Sequence, residues 1–351
     1  MYLLFQPIQR TLRFSTFTPD GVLLLQGQTD LAQWTKRNAK DRFATEVVQQ
    51  LRSHGKVLTG VGIVLPYAPS DYTLPVSASA AGLKRIVTTP LRSTILATTE
   101  LVLSGVQQHW PHLPQLFLFD TFLSERLTRR VALPPFDYDT QKTLHLHPVL
   151  HHSYGHTANM QKMAKNKVSL SLYMDESPSM ALFEGTEIID AIESYSPLPA
   201  LAGLWTAGSF DGGMLLELLS NKRINGSDLL THRSGLIPMT ENIGNLQTVF
   251  EIAGVSPRQT ADQLDSLSIE TIEWIELSAK SFIRSLRHAI GRLMASGVSV
   301  DQVIINTSVI PQESALWPTL RSAVSENVKF VYCNTPLLSA AASDLMSAIK
   351  K

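Results

Sequence analysis

The strongest constraint on the fold lies between residues 268 and 296. Ile272, Ile275, Ala279, Phe282, Ile283, Leu286, Ala289, Ile290, Leu293 and Met294 recur three and four positions apart, the spacing that lines one face of an α-helix. Gly297 follows as a C-terminal stop. Weaker helical patterns occupy 91–109 and 338–349. Short runs rich in Leu, Val and Ile read as strands at 2–5, 12–17, 22–26, 57–65, 115–119, 168–174, 180–189, 302–309 and 329–333. Glu184-Gly185, flanked by apolar runs, predicts a hairpin. Hairpins mixed with strand–helix alternation predict an α/β protein with mixed sheets. Pro134-Pro135 marks a break in regular structure and a candidate hinge. No short-period repeat or low-complexity linker interrupts the chain, and a long-period structural duplication would leave no trace at this level.

One stretch resists the pattern. A tight turn between the runs 2–5 and 12–17 would ordinarily carry Gly, Ser or Asn. The chain has Gln6, Pro7, Ile8, Gln9, Arg10 and Thr11 there.

Composition narrows the classes of function. The chain has 351 residues, enough for two domains with cores of their own. Only 17% are charged, against about 25% in an average globular protein, so an uncharged oligomer interface is compatible with the surface. With 30 basic and 30 acidic residues, the chain has no global field to attract nucleic acid or an acidic membrane. The single cysteine, Cys333, excludes an internal disulfide and a cysteine-only metal cluster, and fits a reducing compartment. No basic start and apolar middle of a signal peptide is seen. No apolar run nears the roughly 18 residues that span a bilayer. The expected setting is the cytoplasm, with no membrane and no nucleic-acid partner.

Two features point to chemistry. Leu116-Phe117-Leu118-Phe119 runs directly into Asp120. A carboxylate just past the end of a buried strand is a favoured place for a catalytic or metal-binding group in α/β folds. The alternative is an Asp that caps the next helix. The second feature is LHLHPVLHHSYGH, residues 144–156, with His151, His152 and His156 close together. His152 and His156 have the i, i+4 spacing of a helical metal pair. No carboxylate or cysteine pattern completes a zinc site, and Pro148 and Gly155 argue against a continuous helix. No metal site is therefore expected, and the histidines read as a polar patch lining a cleft.

FDTFLSERL…ALPPFDYDTQKTLHLHPVLHHSYGH resembles the FDTAFH…ALP…YGFHGTSH region of the acetate kinase family. FIRSLRHAIGRLMASGVSVDQVIINTS resembles the helix–strand unit ending in that family's F-T-A-G-I-G-E-N. SGLIPMTENIGNLQ resembles its S-G-L-L-G-L-S-G-x-S-x-D-x-R, and MALFEGTEIID resembles the hairpin after H-L-G-N-G-A-S. FQPIQRTLRF falls where the family has N-C-G-S-S-S-x-K-F. The pieces keep their order over most of the chain, except about residues 66–105. The resemblance implies a two-domain actin/hexokinase-like (ribonuclease H-like) fold with an interdomain cleft. Its domains would be 1–118 plus 337–351 and 119–336. The activity implied is transfer of the ATP γ-phosphoryl group to a short carboxylate with Mg²⁺.

The departures fall on the phosphate-handling parts. Phosphoryl transfer relies on Gly-rich loops, arginines and metal-holding carboxylates to position phosphate and neutralise its charge. By the resemblance, the first loop's Asn is replaced by Gln6, its Gly by Ile8 and its serines by Gln9, Arg10 and Thr11, with a basic residue kept only at Arg13. The two arginine positions hold Gly62 and Gly208. Tyr173 to Ser179 stands for H-L-G-N-G-A-S, with Asp175 and Glu176 inside it. Asn245 and Gln247 stand for the nucleotide-site Asp and Arg, and Ser308 to Gln312 for G-I-G-E-N. The metal-binding Glu has no counterpart in Asn334-Thr335-Pro336-Leu337. What the resemblance carries over is Asp120, His152 and His156 as remnants of the catalytic site, with Arg13 as a residual nucleotide contact. Three readings follow. One is a pseudoenzyme with a binding or regulatory role, needing no cofactor. Another is a divergent carboxylate kinase using ATP and Mg²⁺. The last is a different enzyme with Asp120 and the histidines as an acid–base pair. A homodimer is expected in line with the family, and a protein partner is open.

Overall fold

The computed structural model describes residues 1–8, 11–31, 33–52, 57–67, 72–87, 90–127, 134, 136–144, 147–175, 177–220, 224–240, 246–254, 267–308, 310–312, 314 and 316–350. Its contacts divide the chain into two compact units. The first is Met1–Glu125 with His151–Ala158 and Pro336–Lys351, and the second is Arg126–Leu150 with Asn159–Thr335.

In the first unit, β1 (Tyr2–Ile8), β2 (Thr11–Phe17) and β3 (Leu23–Asp30) form an antiparallel meander. Strands β4 (Gly60–Leu65) and β6 (Gln115–Phe119) extend it in parallel, and the short β5 (Val76–Ser77) closes the edge, in the order β3-β2-β1-β4-β6-β5. The second unit pairs β7 (Val168–Met174), β8 (Pro178–Glu184) and β9 (Glu187–Ala191) antiparallel. It then adds β10 (Gln302–Asn306) and β11 (Lys329–Cys333) in parallel, in the order β11-β10-β7-β8-β9. Both sheets thus use one plan: a three-strand meander whose first strand pairs in parallel with later strands. The chain is a structural duplication that its sequence conceals.

The periodic stretch forms the helix Ile269–Met294. Ser268 starts it by accepting a 3.1 Å hydrogen bond from the Thr271 N–H, which satisfies one of the orphan donors at a helix start. Ile275, Ala279, Phe282, Ile283, Leu286, Ala289, Ile290 and Leu293 are buried along it and belong to the second unit's core with Leu170, Leu172, Val303 and Ile305. Gly297 lies beyond its end at φ +85°, a conformation that costs a residue with a Cβ. The expected helices at 91–109 and 338–349 appear as Pro90–His109 and Leu337–Lys350. The predicted hairpin is present between β8 and β9, with Gly185 at φ +58°.

Two expectations are corrected. Gln6, Pro7, Ile8 and Thr11 are strand residues, not loop. β1 runs through Ile8, with Gln6 opposite Arg13, Pro7 opposite Leu12 and Ile8 opposite Thr11. Pro7 is tolerated because the parallel pairing with β4 stops at Phe5–Ile63, so no second ladder needs its missing N–H. Gln9 and Arg10 lie outside the described residues. The second correction concerns the histidines. Gly155 lies within the helix Ser153–Met160 and so does not prevent it, but no continuous helix carries both histidines, since His152 precedes the helix at φ +58°. The roughly 1 kcal/mol that Gly costs inside a helix is offset by tertiary anchoring. The Ser153 N–H donates to the Asp120 carbonyl at 2.9 Å, and Ser153 Oγ accepts from the Leu123 N–H at 3.0 Å.

Candidate functional site

Asp120 follows β6, and its N–H donates to the Leu65 carbonyl at the end of β4 at 2.9 Å. That places its carboxyl beside the C-terminal ends of two parallel strands. Asp120 is 2% exposed. One oxygen, Oδ1, accepts the Tyr154 N–H at 3.0 Å, and the other, Oδ2, lies 3.3 Å from His152 Nδ1. Asp120 therefore does cap a helix, but the helix is Ser153–Met160, reached through space across 34 residues. Both sequence readings of this residue meet in one carboxylate. Burial raises its pKa above the ordinary carboxylate value, against the opposing pull of His152 and the Tyr154 N–H.

His152 immediately precedes that helix with φ +58°, a left-handed conformation uncommon for a residue other than Gly. The His156 N–H donates to the His152 carbonyl at 2.9 Å, which places the two residues one turn apart. His156 is fully buried, and burial, reinforced by nearby His152, pushes its pKa down to about 3. It is a neutral imidazole at physiological pH. Among the described residues, no group of three or more His, Cys, Asp or Glu side chains is arranged to hold a metal ion. Arg13 lies on β2, which is separated from β6 by β1 and β4 in the sheet order, and faces Gln6 and Gln28 across its two ladders.

Two further residues belong to this cluster and were missed. Tyr154, 2% exposed, packs its ring 4.9 Å from that of Phe122 and donates its hydroxyl proton to Asp344 of the helix Leu337–Lys350. Burial raises the pKa of Tyr154 well above the ordinary phenol value, and burial raises that of Asp344. The available signal was that Asp344 is the only acid in LLSAAASDLMSAIK.

The two glycines named at arginine positions are closed to side chains. A Cβ at Gly62 would come within 2.6 Å of both Leu118 and Leu4 and within 3.2 Å of Leu345. At Gly208, φ is +72° and a Cβ would fall 2.3 Å from the Ala202 nitrogen. In the second unit, Asp175 follows β7 and is 5% exposed. It accepts from Tyr173 Oη and from Ser308 Oγ, each at 3.4 Å. Glu176 and Asn245 lie outside the described residues. A cavity of about 700 Å³ opens elsewhere in this unit, lined by Leu201, Met214, Leu218, Leu236, Met239 and Phe282 among others.

No protein-family model matches the chain. Among curated proteins it is similar to the acetate kinase of Symbiobacterium thermophilum, 22% identical over 231 residues, which cover 63% of this chain and 53% of that protein. The acetate kinase of Nitratidesulfovibrio vulgaris is 20% identical over 240 residues, 64% of this chain and 57% of its own length. The matched region thus spans about half the length of these relatives. The fold matches farther. Porphyromonas gingivalis acetate kinase superposes with a TM-score of 0.72 at 14% identity over 100% of this chain and 99% of its own. A propionate kinase from Francisella tularensis gives 0.75 at 13% identity, with 99% of each chain covered. The chain is thus similar in part of its sequence to acetate kinases and has the α/β fold of the acetate and propionate kinases.

Proposed function

We propose that this chain is an acetate-kinase-like pseudoenzyme: a kinase scaffold that does not transfer phosphate and serves binding or regulation. The observation that carries the reading is the packing at Gly62 and Gly208. The resemblance puts arginines at these positions, and loss of one arginine clamp in phosphoryl transfer costs about 10³- to 10⁵-fold. Here the side chains are absent, and the space each would leave through is filled by Leu4, Leu118 and Leu345 or by the 201–202 backbone. The residues at the second unit's strand ends also fit a nucleotide phosphate poorly. Asp175 would set a carboxylate against phosphate oxygens, and the hydroxyls of Tyr173 and Ser308 already point to it. A coupled assay for ADP release with MgATP and acetate, propionate or butyrate is expected to stay at background. Turnover within tenfold of an ordinary acetate kinase would overturn the reading.

A divergent carboxylate kinase is the second reading, and two observations favour it. Asp120 and His152 remain 3.3 Å apart. Arg92, from the stretch without resemblance, donates through Nη2 to the hydroxyl of Tyr67 at 3.0 Å, just past the end of β4. Such a kinase would use ATP and Mg²⁺ with a different set of cations.

A homodimer formed through the second unit accompanies the proposal. The helix Gly212–Ser220 buries none of its residues although Leu and Met dominate it. A helix that is apolar all round is normally covered. Met214, Leu216, Leu219, Met239, Trp274 and Leu277 are exposed here, and a twofold partner would bury them. Among the described residues, no helix is long and apolar enough to cross a membrane. With a single free cysteine, Cys333, the proposal places the protein in the cytoplasm.

A further inference from the structure

We propose that Tyr154 and Asp344 are positioning residues of the Asp120–His152 pair, through which the C-terminal helix Leu337–Lys350 holds that pair in place. The inference applies whether or not the pair takes part in phosphoryl transfer. Its basis is the unusual service of one buried tyrosine to two carboxylates. The Tyr154 backbone N–H binds Asp120 Oδ1, and its phenol hydroxyl binds Asp344. Between the two lies a single side chain, wedged against Phe122. Phe122 is itself joined to Asp120 through Thr121, so the ring contact and the hydrogen bond brace the same short segment.

The need for a brace comes from the backbone. His152 is held at φ +58°, where a side chain with a Cβ is disfavoured. Such a conformation persists only when its surroundings over-determine it. Ser153 contributes through the Asp120 carbonyl and the Leu123 N–H, and Tyr154 contributes through the two carboxylates. The C-terminal helix is a firm anchor, since Leu337, Leu338, Ala341, Ala342 and Leu345 are buried along it. Leu345, next to Asp344, is also the residue that comes within 3.2 Å of a Cβ at Gly62. The same turn of helix therefore adds to the packing that Leu4 and Leu118 place over Gly62 and fixes the carboxylate–histidine pair. Asp344 is half-buried, so a change on the outer side of this helix has a route to Asp120.

The titratable groups around the pair are His151, its ring 6.4 Å from that of His152, Tyr154 and His156 of the helix that follows, and, beyond Tyr154, Asp344 of the C-terminal helix. Burial of Asp120 supports the same picture, since its raised pKa depends on water staying out of a well-packed pocket.

The test is carbon-detected NMR titration of the Asp120 carboxyl in the full chain, with the His152 ring nitrogens followed in parallel. Tyr154→Phe keeps the ring against Phe122 and removes only the hydroxyl. Asp344→Ala removes the acceptor at a half-exposed site that a folded chain should tolerate. Asp344→Asn removes the charge but keeps an acceptor oxygen. We expect Tyr154→Phe and Asp344→Ala to lower the Asp120 midpoint by about one unit as water enters and to shift the His152 Nδ1 resonance. Asp344→Asn should stay close to the wild type. If Tyr154→Phe titrates as the wild type does, or if Asp344→Asn and Asp344→Ala move Asp120 equally, the tyrosine–carboxylate bond does not position the pair and the proposal fails.

Discussion

The two halves of the molecule are built on one strand order but differ at the ends of their strands. In the first unit, the strand ends still present a carboxylate and an imidazole 3.3 Å apart, braced by Tyr154. In the second unit, the end of β7 carries a buried Asp175 that is tied to Tyr173 and Ser308, hydroxyls of its own unit. The loop after β10 is likewise turned inward: the Pro311 carbonyl accepts the Trp317 indole N–H at 2.8 Å. The sheets themselves do not differ in this way. β1, β4, β7, β8 and β10 are each almost wholly buried. A parallel sheet is held by side chains that face a core on both sides, so its interior tolerates little change. The residues just beyond a strand end face no such demand. The difference teaches that scaffold and strand-end chemistry answer to separate constraints: one unit presents a carboxylate beside an imidazole, and the other ties its carboxylate to hydroxyls of its own unit.

The largest effect by which this contrast can be broken is catalytic. With both arginine positions closed, carboxylate kinase turnover should lie more than 10³-fold below that of an ordinary acetate kinase, by the worth of one such clamp. Detection of acyl phosphate at near-normal rates would mean that the second unit still handles phosphate. Next is stability. Gly62→Arg would force a guanidinium among Leu4, Leu118 and Leu345 without a partner. We expect a loss of more than about 4 kcal/mol, or failure to fold, measured by urea unfolding. A folded, wild-type-stable Gly62→Arg would show that the arginine position is open after all.

A third effect is pH-dependent and tests the first unit alone. His156 titrates near 3 in the folded chain against an ordinary 6.5. Between those values the unfolded chain takes up a proton that the folded chain does not. Stability from this residue is therefore present above pH 6.5 and is lost as pH falls toward 3, at about 1.4 kcal/mol per unit. Asp120 and Asp344 act in the opposite sense, because their folded values are raised. Their contribution is complete below the ordinary carboxylate range and declines as pH rises through the raised values. The His156 slope is isolated by comparing wild type with His156→Gln from pH 6.5 down to 4.5, where the variant should lose less stability per unit. Parallel curves would show that His156 is not buried as a neutral ring.

The smallest expected effect concerns association. Light scattering should give roughly twice the 38.8 kDa chain mass. Leu216→Glu combined with Trp274→Glu, both at exposed positions, should return the monomer mass with little change in melting temperature. A double variant that remains a dimer would move the interface elsewhere.

How much was legible beforehand depended on which force fixed each part. The long helix was visible because its burial writes a period into the sequence from Ile272 to Met294. The hairpin at Gly185 was visible because its turn needs a positive φ. β3 is legible only as far as residue 26, because its outer half, ending Gln28-Thr29-Asp30, alternates between half-buried and exposed and lacks an apolar run. The extension of β1 through Gln6 and Pro7 was hidden because pairing with β2, not residue propensity, makes it a strand. At the site, Asp120 and His152 were found from strand-end position and resemblance. Tyr154 and Asp344 were not, because they meet across the fold from segments far apart in sequence and share no motif. The helix that contains Gly155 is hidden for the same reason: its anchors are the Asp120 carbonyl and the Leu123 N–H, which local sequence does not reveal.

The central claim is that the second unit has given up nucleotide phosphate binding while the first unit keeps its carboxylate–histidine pair. Calorimetric titration of the full chain with MgATP tests it most directly. The account predicts heats indistinguishable from dilution up to millimolar nucleotide, because Asp175, tied to Tyr173 and Ser308, would set a carboxylate against phosphate oxygens. A saturable isotherm with micromolar affinity would contradict it and would favour the divergent kinase.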